Sequence, residues 1–254
     1  MQIKTPNQKL HPMDLKRLHP ADLMVCTLAR LIENNEKVFH GVSSQLPMVA
    51  MKLAKAMHAS DAVLLNIPGG VNSDFHQVSP YSSAGKELWH NSDAIFPLEK
   101  IFDLSMRGQL DVAFLSGVQF DKSGNINASI IGEYNKPKVR LPGGAGSAVI
   151  IPTVKKAIIW RAKHDKKTFV NRVDFTTTRG NIYKIVTPLC IFGYKNSQLY
   201  LEAISPNTTI DEVKENTGFE ITEDSVGTIY LPTIEEMKLI QKIDPKGVRY
   251  NEFK

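Results

Sequence analysis

The alternation of short apolar strands with amphipathic helical segments constrains the fold of this 254-residue chain more than any other feature of its sequence. A helix is predicted to begin at Pro20, whose fixed φ suits the first helical turn, and its apolar residues, among them Met24 and Leu28, continue to about Asn34. The strand KVFHGV, a second helix from Pro47 and the strand AVLL follow. Repeated strand–helix–strand units predict an α/β fold, with a mainly parallel sheet covered by helices.

The second half of the chain continues this pattern. The segments LDVAFL, SAVIIP, AIIW, PLCIF and LYLEAI are predicted as strands. Thr209 and Glu212 have the spacing of a helix capping box, and Thr233 is predicted to start a terminal helix. Residues 72–91 lack periodicity, which in a compact domain is typical of a functional loop. Residues 1–20 are predicted to form an N-terminal arm, and residues 21–254 a single domain.

The composition disfavours several classes of protein. The formal charge of +5 and the isoelectric point near 9.0 are a small basic excess, which suits a phosphate-bearing ligand. The basic stretch 155–172 contains no recognisable reading module, so nucleic acid is not expected as a partner. No apolar run reaches the roughly 18 residues of a membrane span, and we expect a cytoplasmic protein without a membrane partner. Cys26 and Cys190 lie far apart in apolar stretches, as reduced core thiols do.

The segment FLSGVQFDKSGNIN combines a strand end with glycine and amide side chains. The strand runs into Gly117, and Gln119 and Asn125 cluster around the turn that follows. Open parallel sheets bind ligands beyond the carboxyl ends of their strands, so these residues are candidates for lining a ligand cleft. The same pattern is equally compatible with an ordinary Asp-x-x-Gly turn.

The segment LPGGAGS is a glycine-rich bend that contains Gly143, Gly144 and Gly146. It lacks the lysine of a P-loop and the full spacing of a dinucleotide fingerprint, which argues against nucleotide hydrolysis and hydride transfer. Glycines allow backbone N–H groups to approach a ligand oxygen, as an oxyanion hole or a phosphate site requires.

Four ordered segments together resemble the beta subunits of family I CoA-transferases of the glutaconate CoA-transferase type. They are FLSGVQFDKSGNINASIIGEYNKPKVRLPGGAG, HDKKTFVNRVDFTT, VKENTGFEI and LPTIEEMKLIQKIDP. The last also resembles the steroid ring-opening CoA hydrolases, and the resemblance extends from about Ala21 to the end of the chain. It implies a CoA-transferase-like α/β fold, a homologous alpha subunit, an α2β2 assembly and an acyl-CoA substrate. Coenzyme A is then part of the substrate, and no permanently bound cofactor is expected.

In that family, a glutamate ends the strand after the second helix and attacks the thioester carbonyl, which makes an acyl anhydride and then an enzyme thioester. Laid on HASDAVLLNIPGG, its position falls at Ile67, or at Asn66 if the register slips by one residue. Neither side chain is an acid. Asn66 and Ile67 are therefore the candidate catalytic positions, with Pro68 and Gly69 beside them in the acyl-CoA site together with Gly117, Gln119, Asn125, Gly143, Gly144 and Gly146.

Three explanations of the missing acid stay open. Asp74 or Glu87 in the following loop could replace the glutamate, although loops seldom hold a nucleophile with the necessary precision. The complex could instead hydrolyse CoA thioesters with a base from the alpha subunit, or it could retain binding only, as a non-catalytic partner of that subunit. A stand-alone anion or sugar-phosphate-binding protein is the alternative from another class.

Histidines and metal ligands are the remaining candidate groups. Four histidines, His40, His58, His76 and His90, are possible bases, and each is more often a surface or hydrogen-bonded residue than a catalyst. No pair of histidines or cysteines has metal-ligand spacing, so no metal site is expected.

Overall fold

The computed structural model describes residues 18–74 and 84–253, which form two compact units. The first unit comprises the described residues up to Ile101 and those from Tyr230 onward, and the second comprises Phe102–Ile229. Most of the predicted N-terminal arm, residues 1–17, lies outside the described residues. The single domain over residues 21–254 stays a prediction.

In chain order, the elements are α1 (Pro20–Arg30), β1 (Lys37–His40), α2 (Gln45–Met57), β2 (Val63–Leu65), β3 (Gly70–Val71), a 3₁₀ turn (Lys86–Trp89), β4 (Ala94–Ile95), α3 (Glu99–Met106), β5 (Val112–Leu115), β6 (Gln119–Phe120), β7 (Ile126–Asn127), β8 (Ile130–Glu133), β9 (Lys136–Arg140), α4 (Gly146–Thr153), β10 (Lys156–Trp160), β11 (Ile182–Val186), β12 (Cys190–Lys195), β13 (Gln198–Ile204), α5 (Ile210–Glu215), β14 (Glu223–Thr228), α6 (Ile234–Ile243) and a final 3₁₀ segment (Val248–Phe253).

In the first unit, α1, α2 and α6 accompany a small sheet. β1 and β2 pair in parallel, with Lys37 opposite Val63, and β3 and β4 add antiparallel strands. Two buried ion pairs fix the C-terminal segments to α1: Arg30 bonds to Glu236 of α6, and Arg249 bonds to both Asp22 and Asp244. Burying paired charges specifies one arrangement of these helices, because each charge depends on its partner.

In the second unit, the strand order is β5-β10-β11-β12-β13-β14. β5, β10 and β11 are parallel, as predicted, and β14 is parallel to β13. β12 and β13 are antiparallel because a two-residue turn joins them, in which Asn196 and Ser197 have φ of 52° and 60°. Two positive φ values in succession give the turn whose twist matches a hairpin. The predicted α/β class with its largely parallel sheet is confirmed.

One predicted strand is wrong. The segment SAVIIP belongs to α4, an eight-residue helix with Pro152 in its last turn. A short apolar run is compatible with a buried strand or a buried helical turn, and periodicity alone cannot separate them. The glycine-rich bend before Gly146 lets the chain enter this helix directly.

The helix boundaries differ from the predictions by a few residues. α1 ends at Arg30 rather than near Asn34, and α2 begins at Gln45, which places Pro47 in its first turn. Thr233 caps α6 as predicted, and it forms a complete capping box with Glu236. Within the part of the chain that the structure describes, no helix is long and apolar enough to cross a lipid bilayer.

Candidate active site

The turn after β2 is organised by the side chain of Asn66. Its Nδ2 donates to Ser73 Oγ at 2.9 Å and to the Leu88 carbonyl at 3.0 Å. Its Oδ1 accepts the backbone N–H groups of Gly69 at 3.2 Å and Gly70 at 3.0 Å. Asn66 is 5% exposed, and these four bonds use both amide hydrogens and both oxygen lone pairs. The side chain therefore shapes the turn and has no capacity left for a substrate.

The backbone of this turn requires glycine at position 69. Gly69 has φ of +100°, and a Cβ atom there would lie 1.8 Å from the carbonyl oxygen of Phe96. The preceding carbonyl, that of Pro68, accepts the indole N–H of Trp89 at 2.6 Å. Ile67 and Pro68 are half-buried at the crest of the turn. The position of the family glutamate thus presents a partly exposed apolar side chain on a rigid support.

A small cavity of about 20 Å³ lies behind the turn, within the first unit. This volume is large enough for a single water molecule. Its polar lining consists of His40, Lys52, Asn66 and Ser73, and its apolar lining of Met48, Met51, Leu64 and Leu65. Neither Lys52 nor Ser73 was predicted from the sequence. The signal for Lys52 was its position one turn after Met48 on the same helix.

His40 is the imidazole in this cavity, and it is 2% exposed. Its Nδ1 lies 3.1 Å from the Gly41 carbonyl, which only accepts, so Nδ1 carries the proton and Nε2 has its lone pair available. Burial lowers the pKa of His40 to about 4. Burial also lowers the pKa of Lys52, while the negative charge of Asp74 opposes that shift. The neutral imidazole and the ammonium are the two titratable groups that line the cavity.

The other predicted bases fall elsewhere. His58 lies at the end of α2, where its Nε2 donates to the Ile32 carbonyl at 3.0 Å, and His90 is an exposed residue after the 3₁₀ turn. His76 lies outside the described residues. Of the two candidate replacement acids, Asp74 is exposed and Glu87 is half-buried.

In the second unit, Gln119 and Asn127 hold the β6–β7 hairpin together. Gln119 Oε1 accepts from Asn127 Nδ2 at 2.7 Å and from the backbone N–H of Asp174 at 3.0 Å. Both residues are buried, and Gly117 beside them has no room for a side chain, because a Cβ would lie 2.6 Å from Ile126. These residues are the scaffold of the hairpin.

Asn125 belongs to a turn built around Asp121. The Asp121 Oδ1 accepts the backbone N–H groups of Ser123 and Asn125, each at 3.1 Å, and its Oδ2 accepts from Asn125 Nδ2 at 3.0 Å. Gly124 closes the turn with φ of +76°. The Asp-x-x-Gly pattern is thus used locally, as the ordinary-turn interpretation expects.

The glycine-rich bend is different, because its backbone donors are open. Among the described residues, no acceptor takes the N–H groups of Gly144, Ala145 or Gly146. Gly143 is anchored by its N–H to the Ala128 carbonyl at 3.0 Å, and a Cβ on it would lie 2.6 Å from that oxygen. Successive open N–H groups at the start of a helix are a favourable site for an anionic oxygen.

Two hydroxyl groups support this bend from below. Thr177 Oγ1 accepts the backbone N–H of Ala128 at 2.9 Å and lies 2.7 Å from Ser129 Oγ. Gly144 packs next to Ser129, since a Cβ on Gly144 would lie 3.0 Å from that hydroxyl. Neither hydroxyl was predicted from the sequence, because Thr177 is 48 residues from Ser129 along the chain.

His164 and Cys190 form a buried cluster in the core of the second unit. The His164 ring stacks on Phe169 at 4.2 Å, and its two nitrogens lie 2.9 and 3.1 Å from the hydroxyls of Thr187 and Thr217. Burial lowers the pKa of His164 to about 3 and raises the pKa of Cys190 to about 12. Cys26 is also a buried free thiol, in agreement with the predicted core role of both cysteines. Within the described ranges, no cluster of three or more histidine, cysteine, aspartate or glutamate residues could hold a metal ion.

Comparison with protein families gives one match. The Coenzyme A transferase family matches residues 23–216 of this chain. Its ends lie in α1 and just after α5, so the matched part contains both the turn at Ile67 and the glycine-rich bend.

Three curated relatives cover almost the whole chain. The beta subunit of the 3-oxoadipate CoA-transferase of Pseudomonas knackmussii is 31% identical over 245 residues, which are 89% of this chain and 93% of that protein. The beta subunit of the glutaconate CoA-transferase of Acidaminococcus fermentans is 28% identical, over 88% and 92% of the two chains. The cholesterol ring-cleaving hydrolase IpdB subunit of Rhodococcus jostii is 24% identical, over 91% and 95%.

Among solved structures, the decarboxylase AibA/AibB superposes with a TM-score of 0.87 at 27% identity. The superposition covers 92% of this chain and 98% of that one. Relatives with transferase, hydrolase and decarboxylase names thus share this architecture.

Proposed function

Since the chain belongs to the coenzyme A transferase family, we propose that it is the beta subunit of an enzyme that acts on acyl-CoA thioesters together with a homologous alpha subunit. Relatives whose names denote one of two subunits support the division of labour between two chains. We further propose that two such heterodimers pair symmetrically in the cytoplasm, and that coenzyme A enters as part of the substrate.

The observation that carries this proposal is the set of open N–H groups at Gly144, Ala145 and Gly146. Attack on a thioester carbonyl places negative charge on the carbonyl oxygen, and backbone donors that already point to that position stabilise it without reorganisation. Gly143 supports the bend by its close packing on Ala128. Gly117, Gln119 and Asn125 act in this proposal as positioning residues, because their side chains or backbone atoms hold the adjacent hairpin.

The reaction itself depends on the missing acid. Ile67 cannot form an acyl anhydride, and the amide of Asn66 is saturated by four bonds within the chain. We propose that no covalent acyl intermediate forms at this turn. Hydrolysis is the reaction favoured: water adds to the thioester carbonyl, the C–S bond breaks, and the coenzyme A thiolate leaves and takes up a proton. The base that removes the proton of water is assigned to the alpha subunit.

Classical CoA transfer is the second candidate. It needs a carboxylate from Asp74 or Glu87, of which Asp74 is exposed and Glu87 half-buried. The similarity to subunits with transferase names favours it. A non-catalytic role next to the alpha subunit is the third possibility, and it predicts no loss of activity from changes in the glycine-rich bend.

The test is co-expression of this chain with its homologous alpha subunit and incubation of the purified complex with a panel of acyl-CoA thioesters. Release of free coenzyme A without any added carboxylic acid supports hydrolysis. Turnover that requires an acceptor acid, together with an adduct on Asp74 or Glu87, supports transfer instead. A complex that neither binds nor converts any CoA thioester would refute the assignment.

A further inference from the structure

The β8–β9 hairpin of the second unit carries a row of exposed cations. Lys136, Lys138 and Arg140 alternate along β9 and are all exposed. Alternate residues of a strand project from the same face, about 7 Å apart, so the three charges form one line. Among the described residues, no carboxylate forms an ion pair with any of them. We call this line the hairpin cation row.

An aromatic platform stands at the tip of the same hairpin. Tyr134 is 57% exposed, although large aromatic side chains are usually buried. Its ring stacks on Phe175 with centroids 5.3 Å apart and planes 22° apart, and the Arg140 guanidinium lies 5.8 Å from its centroid. Asp174 Oδ2 accepts the N–H of Gly132 at 2.7 Å, which fixes the Phe175 segment against the hairpin. The tyrosine face is thus held rigidly beside the cations.

From these contacts we infer that the β8–β9 hairpin binds the phosphorylated adenosine end of coenzyme A. The hairpin cation row would hold the diphosphate and the ribose phosphate, and Tyr134 would stack on the adenine ring. The inference rests on the proposed function, since it gives a second subsite to the same substrate. One aromatic platform and one short row of charges fit a single nucleotide; a polynucleotide would require repeated stacking positions.

The chain connects this subsite directly to the glycine-rich bend. β9 ends at Arg140, and Gly144 follows four residues later, which limits the separation of their Cα atoms to about 14 Å. The Leu141 N–H donates to the Ser129 carbonyl at 2.8 Å, so the connection is hydrogen-bonded rather than loose. An extended pantetheine arm can cover such a distance. A thioester at the bend therefore has its phosphates within reach of the hairpin cation row.

The test compares ligands that differ only at the adenosine end. The assembled complex is titrated with coenzyme A, with dephospho-coenzyme A lacking the ribose phosphate, and with a pantetheine thioester. The variant Lys136→Gln/Lys138→Gln/Arg140→Gln should weaken coenzyme A binding by about 10- to 100-fold and leave the pantetheine thioester unchanged. The variant Tyr134→Leu should likewise weaken binding of coenzyme A but not of 4′-phosphopantetheine.

The matched control is Lys238→Gln/Lys242→Gln/Lys246→Gln, which removes three exposed cations from α6 and the segment after it. This control should bind all ligands as the wild type does. Equal discrimination between coenzyme A and the pantetheine thioester in the hairpin variant and the wild type would overturn the inference while the proposed function stands. Loss of assembly with the alpha subunit in that variant would overturn it in favour of a subunit contact. If the wild-type complex binds no CoA ligand, the proposed function fails, and the subsite fails with it.

Discussion

The carboxamide oxygen of Asn66 accepts the backbone N–H of Gly70 at 3.0 Å, across the turn where a catalytic glutamate stands in related transferases. The same side chain reaches Ser73 and Leu88 with its NH₂ group. Asn66 is therefore the support of the turn, and Ile67 is the residue that the turn presents. A protein that needed an acid at this place would have had to give up either the support or the apolar side chain.

We predict that Asn66→Ala destabilises the protein by about 1–3 kcal/mol, because the substitution leaves two buried N–H groups and the Leu88 carbonyl without their partner. Asn66→Asp should also destabilise, because a carboxylate oxygen would then face the Leu88 carbonyl. Chemical denaturation measures both changes. Wild-type stability in the aspartate variant would show that the NH₂ bonds are dispensable.

For the glycine-rich bend, we predict a loss of activity from Ala145→Pro. Ala145 has φ of −70°, which proline adopts, so the substitution removes an open N–H without strain in φ. Loss of one oxyanion donor should lower kcat by about 10²- to 10³-fold. Gly146→Ala is the control, because its Cβ would have no neighbour closer than 3.8 Å and its N–H is kept. Equal activity of the two variants, with both folded, would exclude the N–H of Ala145 from the reaction.

Acid should destabilise the fold through its buried histidines. Burial lowers the pKa values of His40 and His164 to about 4 and about 3, whereas an unfolded chain titrates near 6.5. The unfolded state therefore binds more protons below pH 6.5, and stability falls as the pH drops from about 6.5 toward 4. Each histidine contributes up to about 1.4 kcal/mol per pH unit. The variant His164→Gln should flatten this dependence, while the surface variant His90→Gln should keep it.

The buried Arg249 network should be far more important for stability than a surface ion pair. The Arg249 side chain is 3% exposed and lies 2.6 Å from Asp22 and 2.9 Å from Asp244. Arg249→Met leaves two buried carboxylates without their cation and should cost about 3–5 kcal/mol. Arg107→Met, which breaks an exposed pair with Asp103, should cost less than about 1 kcal/mol. Similar losses in the two variants would contradict this assignment.

Local sequence patterns predicted much of the fold. Helices α1, α2 and α6 and strands β1, β5 and β10 follow from apolar periodicity and from capping residues such as Thr233. The segment SAVIIP did not, because its apolar residues have no period that separates a strand from a helix. The β12–β13 hairpin depends on positive φ at Asn196 and Ser197, a weaker sequence signal than Asn-Gly.

The candidate site was predictable in position but not in its contacts. The resemblance to a family located the turn at Ile67 and the bend at Gly143 within the chain. The partners of Asn66 are 7 and 22 residues away, and Thr177 is 48 residues from Ser129, so no local pattern could reveal these bonds. Lys52 could not be assigned to a cavity before the packing of α2 was known.

Mass spectrometry of one reaction mixture tests the central claim most directly. The purified complex of this chain with its alpha subunit is incubated with the acyl-CoA panel, without any acceptor acid, and both the ligands and the intact chains are weighed. Our account predicts that at least one CoA thioester is converted while the mass of this chain stays unchanged. A chain made heavier by an acyl group or by coenzyme A, or no conversion of any thioester, would contradict it.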